Sequence, residues 1–159
     1  MCRRIKVFVM DVDGTLTDGK IYMGENGESF KAFDIKDGYG IHEILPAQGV
    51  ITVILTGRSS EIVLRRSEEL EIDYVLQSIK DKEYAIRELV DKLGCSLSET
   101  AYIGDDIIDL KAMRLCGIKG CPGDAVDQVK EICDFVSEKK GGEGAVRDFI
   151  QWLLKKKLI

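Results

Sequence analysis

Imidazole is almost missing from this chain: 159 residues contain one histidine, His42, and only two prolines and one tryptophan. The five cysteines, Cys2, Cys95, Cys116, Cys121 and Cys133, are odd in number and form no C-x-x-C pair. A Cys/His zinc site is therefore poorly supplied with ligands. Reduced thiols packed as small apolar side chains are the default reading, and they suit a cytoplasmic protein. No apolar run approaches the roughly 18–20 residues of a membrane span. Residues 1–10 run directly into an acidic motif and leave no room for a cleaved signal peptide. Positive charge is also short, with 23 Lys+Arg against 28 Asp+Glu. A nucleic-acid binder needs a basic patch to neutralise phosphates. The one cationic cluster, Lys155-Lys156-Lys157, falls at the end of a terminal helix, where it complements the carbonyl end of the dipole. Neither nucleic acid nor membrane is an expected partner.

What is present is a chain 45% hydrophobic, long enough to bury a core as one domain over residues 1–159. Short β-rich runs at residues 5–10, 50–55, 74–77, 100–103, 117–120 and 134–137 alternate with helical patterns at 61–70, 82–93, 106–115, 125–132 and 144–154. The first two runs are nearly continuous in apolar residues, as in strands covered on both faces. Such alternation predicts an α/β fold, a Rossmann-like, doubly wound, mostly parallel sheet. Residues 20–33 break the rhythm, because Asn26-Gly27 between β-prone runs predicts a hairpin after the first strand. No repeat, linker or cap domain is visible.

Ligands bind at the carboxyl ends of strands in such sheets. The residues there are Asp11-Val12-Asp13-Gly14-Thr15, then Thr56-Gly57-Arg58, then Gly104-Asp105-Asp106 with Asp109 one turn on, while Lys82 opens a helix beyond the third strand. Carboxylates crowded at one edge need a cation. An oxygen-only donor set selects Mg²⁺. Asp can serve as a nucleophile, and Thr and Lys can hold phosphoryl oxygens. Each element alone has a plainer reading: a turn, a solvated helix start, or a cap at Asp105-Asp106. Their order, each after a strand, favours chemistry. A phospho-acceptor receiver domain also combines acids, Thr and Lys, but places its acceptor after the third strand.

Asp11-Val12-Asp13-Gly14-Thr15, Thr56, Lys82 and Gly104-Asp105-Asp106 resemble the four signature motifs of the haloacid dehalogenase superfamily. The resemblance implies Asp11 as nucleophile, Asp13 as general acid/base, and Thr56 and Lys82 holding the phosphoryl group. It implies Mg²⁺ on the Asp11 carboxylate, the Asp13 backbone carbonyl and Asp105. Residues 31–41, Thr56-Gly57-Arg58 and residues 141–147 further resemble the cap-less 3-deoxy-D-manno-octulosonate (KDO) 8-phosphate phosphatases, which act in lipopolysaccharide sugar synthesis. That resemblance implies a Mg²⁺-dependent phosphoric monoester hydrolase working through an aspartyl-phosphate. It implies substrate contacts at Asp34, Lys36, Asp37, Gly38, Arg58, Arg66 and Lys82. His42 and Glu143 stand where those enzymes commonly carry Arg, which keeps a related nonulosonate 9-phosphate open. A non-catalytic phosphosugar-binding subunit is a third reading, against which Asp13 counts.

Arg58 and Arg66, eight residues apart, suit a substrate carboxylate if they share a helix side. The plainer alternative is a charged, exposed helix face. His42 reads as a partly buried helix residue. Without a cap, a lid must come from elsewhere. The apolar hairpin residues Ile21, Met23, Phe30 and Phe33 are the expected contact with another copy, and the resemblance implies a homotetramer with active sites at subunit interfaces.

Overall fold

The computed structural model describes residues 4–159, so Cys2 lies outside the described residues. Its six-stranded parallel sheet runs in the order β5-β4-β1-β6-β7-β8, from β1 (Val7–Met10), β4 (Ile51–Leu55), β5 (Tyr74–Leu76), β6 (Thr100–Ile103), β7 (Ile118–Cys121) and β8 (Phe135–Val136). A separate hairpin, β2 (Tyr22–Gly24) with β3 (Gly27–Phe30), follows β1 where the Asn-Gly signal predicts one, but its turn residues are Glu25 and Asn26, with Gly27 at φ 110° opening β3. Next come a helical run, α1 (Ile35–Tyr39), a wide turn over Gly40–Ile44 and α2 (Leu45–Ala47). The remaining helices are α3 (Glu61–Glu69), α4 (Lys82–Lys92), α5 (Leu110–Leu115), α6 (Asp127–Lys130) and α7 (Ala145–Lys155).

Both sheet faces are covered, which explains the unbroken apolar runs in the sequence. Alternate side chains of β1 point opposite ways. Phe8 and Met10 join Ile41, Leu45, Val63 and the α7 residues Val146, Phe149, Ile150 and Leu153 on one face. Val7 and Val9 join Ile86, Leu89, Val90, Met113 and Val129 on the other. No cap is inserted between these core elements. Among the described residues, no helix is long and apolar enough to cross a membrane.

Two boundaries differ instructively from the sequence pattern. Residues 5 and 6 precede β1, because the Ile5 N–H donates to the Leu158 carbonyl and that of Lys6 to Glu99. The stretch expected as one helix from 106 opens instead as a 3₁₀ turn at Ile107–Asp109. There the Asp109 carboxylate folds back to accept the N–H groups of Asp105 and Asp106.

Sheet order positions the chemistry. β1 lies between β4 and β6, with Met10 level with both Ile54 and Ile103. The loops after these three strands therefore emerge side by side, with Asp11 between Thr56 and Asp105.

Candidate active site

Asp11 directly follows β1 and is buried, as are Thr15, Thr56, Lys82 and Asp109. The Lys82 ammonium, at the first position of α4, donates to Asp11 Oδ1 and Asp109 Oδ1, each at 2.7 Å. Asp109 Oδ1 also accepts the Tyr102 hydroxyl at 2.8 Å, while its Oδ2 receives the Asp105 and Asp106 N–H groups. Both Asp109 oxygens are thus committed to holding the loop. Asp106 caps the following turn by accepting from Ile107 N–H, so only Asp105 of the Asp105-Asp106 pair enters the cluster.

Asp11, Asp105 and Asp109 bring carboxylate oxygens within 4.8 Å of one another. Three carboxylates face one ammonium in a poorly hydrated space. Burial, then the charge of Asp109, pushes the Asp11 carboxyl up to about 6, against the pull of Lys82. Burial, then the charge of Asp11, pushes Asp105 up to about 8. This excess of negative charge, on hard oxygen donors with Asp109 already engaged, fits a divalent cation between Asp11 and Asp105. Gly14 makes the approach possible. It holds a left-handed φ of 91°, and a Cβ there would lie 2.0 Å from Asp105 Oδ2. The Thr15 hydroxyl donates to Asp105 Oδ1 at 3.3 Å.

Asp13 belongs to a second group. Its carboxylate lies outside that cluster and accepts from Lys31 Nζ at 2.6 Å. Lys31 also pairs with Glu28 at 2.6 Å, and Arg58 closes the ring, 3.3 Å from Glu28 and 3.9 Å from Asp13. Burial draws the Lys31 pKa down, but the bonds to Asp13 and Glu28 outweigh it and raise it overall. Lys31 and Glu28 were not singled out from sequence. Lys31 opens the 31–41 segment that carries the family resemblance but has no role assigned there, and only the hairpin's fold brings it and Glu28 to Asp13.

A third group lies along α1. Asp34 caps it, accepting from the N–H groups of Lys36 and Asp37. Lys36 is exposed. Buried Asp37 accepts the Arg147 N–H at 2.8 Å and so fastens the start of α7, while its Oδ2 has no partner. Burial pushes its carboxyl up to about 6. Gly38 lies against Arg66, whose guanidinium pairs with Glu69 and stands over the Phe33 ring. Arg58 lies ahead of α3 rather than on it, so a shared helix side does not relate it to Arg66. Arg58 joins the Asp13 ring and Arg66 the α1 group. His42 is half-buried, its Nδ1 3.1 Å from the Leu70 carbonyl oxygen.

The haloacid dehalogenase-like hydrolase family matches residues 74–150. The chain is 39% identical over 150 residues to the KDO 8-phosphate phosphatase of Escherichia coli K12, covering 94% of this chain and 79% of that protein. The solved KDO 8-phosphate phosphatase of Moraxella catarrhalis, in complex with magnesium, phosphate and KDO, superposes with a TM-score of 0.92 at 44% identity, covering 97% of this chain and 88% of that one. The cobalt-bound enzyme of Haemophilus influenzae superposes with a TM-score of 0.91 at 38% identity, covering 96% and 88%.

Proposed function

The chain belongs to the KDO 8-phosphate phosphatases, a cap-less branch of the haloacid dehalogenase-like hydrolases, and on that premise we propose that it is a Mg²⁺-dependent phosphatase converting KDO 8-phosphate to KDO and phosphate. The observation that carries this reading is the separation of two carboxylates. Asp11 sits in the buried acidic cluster, and Asp13 faces the open hairpin side.

Asp11 and Asp105, with the Asp13 backbone carbonyl, would hold Mg²⁺, which supplies positive charge to the phosphoryl oxygens and screens them from the carboxylates. An Asp11 oxygen attacks phosphorus. As that O–P bond forms, the bond from phosphorus to the sugar oxygen breaks, and Asp13 gives its proton to the departing oxygen. Asp13 then takes a proton from water, whose oxygen attacks phosphorus, and the bond to Asp11 breaks to free phosphate. Two of the three Lys82 N–H bonds hold Asp11 and Asp109, leaving the third for a phosphoryl oxygen. The buried Thr56 hydroxyl, on the loop after β4 beside Asp11, would take another.

We assign the substrate's carboxylate and hydroxyls to Arg58, Arg66 and the segment Asp34, Lys36, Asp37 and Gly38. The unpartnered Asp37 Oδ2 and Arg66 Nε support a polar ligand on that side. We read residues 1–159 as one domain in the cytoplasm, with Cys95, Cys116, Cys121 and Cys133 as free thiols. A homotetramer would give the hairpin's exposed Met23 and Phe30, 68% and 53% accessible, an apolar partner near the site. The test is phosphate release from a panel of phosphorylated sugar acids with and without Mg²⁺. KDO 8-phosphate should lead. Preference for a nonulosonate 9-phosphate would move the assignment to the sister activity, and no Mg²⁺-dependent release from any member would refute it.

A further inference from the structure

The side chain that faces Asp13 is an ammonium almost wholly out of solvent: the Lys31 side chain is 1% exposed. It follows directly on β3, at the foot of the hairpin. Its Nζ donates to Asp13 Oδ1 at 2.6 Å and pairs with Glu28 at the same distance. Among the described residues, Asp13 Oδ2 forms an ion pair with Arg58 Nε at 3.9 Å, beyond hydrogen-bonding range. One oxygen of Asp13 is therefore pinned and the other left open. An Asp side chain at a 20% exposed turn position is otherwise free to rotate, and proton transfer needs it within hydrogen-bond reach of the reacting oxygen.

We propose that Lys31 is a positioning residue for Asp13: it fixes Oδ1 so that Oδ2 meets the leaving sugar oxygen, and Glu28 in turn fixes Lys31. The inference rests on Asp13 being the acid/base. It also gives the hairpin a part in the chemistry of its own chain, apart from any contact with another copy. Misplacing a reacting group by about 1 Å can cost about 10²-fold. The loss should be confined to proton-transfer steps, because Lys31 touches neither Asp11 nor Lys82.

The experiment compares two rates on the full-length Mg²⁺-loaded protein. One is steady-state phosphate release from KDO 8-phosphate. The other is first-turnover release of the phenolate from 2,4-dinitrophenyl phosphate, whose leaving group needs no proton. Lys31→Met should lose about 10²-fold in the first while keeping the second close to wild type, and Lys31→Arg should recover most of the loss. Equal loss in both rates, or no loss in either, overturns the proposal. Should Lys31→Met melt early because Glu28 Oε1 loses its cation, Glu28→Gln/Lys31→Met removes that charge and is measured the same way. Asp13→Asn, run in parallel, separates the two levels of the argument. If it shows the selective loss and Lys31→Met does not, only the role of Lys31 fails. If Asp13→Asn turns over KDO 8-phosphate normally, the acid/base assignment fails and the role of Lys31 falls with it.

Discussion

A single residue, Val12, separates Asp11 from Asp13, yet their carboxylates stand in unlike surroundings. Asp11 is held by the sheet: Lys82 from the start of α4, with Asp105 and Asp109 from the loop after β6, all converging where adjacent strands end. Asp13 is held by the hairpin, through Lys31 and Glu28, with half-exposed Arg58 at the rim. The first setting is buried and overloaded with negative charge, so it suits a cation and a nucleophile. The second is a ring of alternating charges open to solvent on one side, so it suits a group that must meet a changing partner. One short motif serves both, because the left-handed Gly14 turns the chain sharply after Asp13.

Substitution of the two acids is the strongest way to break that contrast. Asp11→Asn removes the nucleophile and a metal ligand together, so turnover should vanish while the thermal melt stays close to wild type. Near-normal phosphate release would erase the distinction. Asp13→Asn should lower turnover by about 10²–10⁴-fold and keep Mg²⁺ affinity, since its metal contact would be the backbone carbonyl. Calorimetric titration with Mg²⁺ checks the second half. Lost affinity with retained turnover at saturating metal would reverse the assignments.

The contrast sharpens at the rim. Arg58→Ala should raise KM for the sugar-acid phosphate roughly 10- to 150-fold, the cost of a charge-assisted hydrogen bond of about 1.5–3 kcal/mol. The KM for p-nitrophenyl phosphate, which has no carboxylate, should hardly move. Equal losses would put Arg58 at the phosphate or in the frame of the protein.

How much of this was legible beforehand follows from the same contrast. The Asp11 setting could be read because each member directly follows a strand or opens a helix, and parallel strands of one sheet end together. Lys82 and Asp105 needed only local pattern and topology. The Asp13 setting could not be read. Lys31 and Glu28 lie in an insert whose docking depends on side-chain packing, and charged residues in a hairpin are ordinarily solvated. Arg58 is legible as a site residue, but a helix side shared with Arg66 does not follow, since α3 begins only at Glu61. Asp37 is expected at the substrate, and the structure adds a second task, holding the start of α7 from 110 residues away, which leaves no sequence signal.

A smaller effect tests the charge excess around Asp11. In the metal-free protein the folded pKa values of Asp11 and Asp105, about 6 and about 8, lie above the ordinary 3.8. The native state then binds more protons than the unfolded chain between roughly pH 4 and 8, so stability falls as pH rises through that window. Melting temperature should drop across it without metal. Saturating Mg²⁺ should lift the curve, most strongly at the alkaline end, where metal no longer competes with protons. A metal-free profile that rises with pH over this range would contradict the charge excess.

The most direct measurement of the division of labour is where the phosphoryl group goes when Asp13 is disabled. In Asp13→Asn with Mg²⁺ and labelled 2,4-dinitrophenyl phosphate, the first displacement needs no proton donor, while the second lacks its base. Label should accumulate covalently on the peptide carrying Asp11 and be absent from it in Asp11→Asn. Label on another residue, or phosphate released at the wild-type rate with none retained, would contradict the assignment of the two carboxylates.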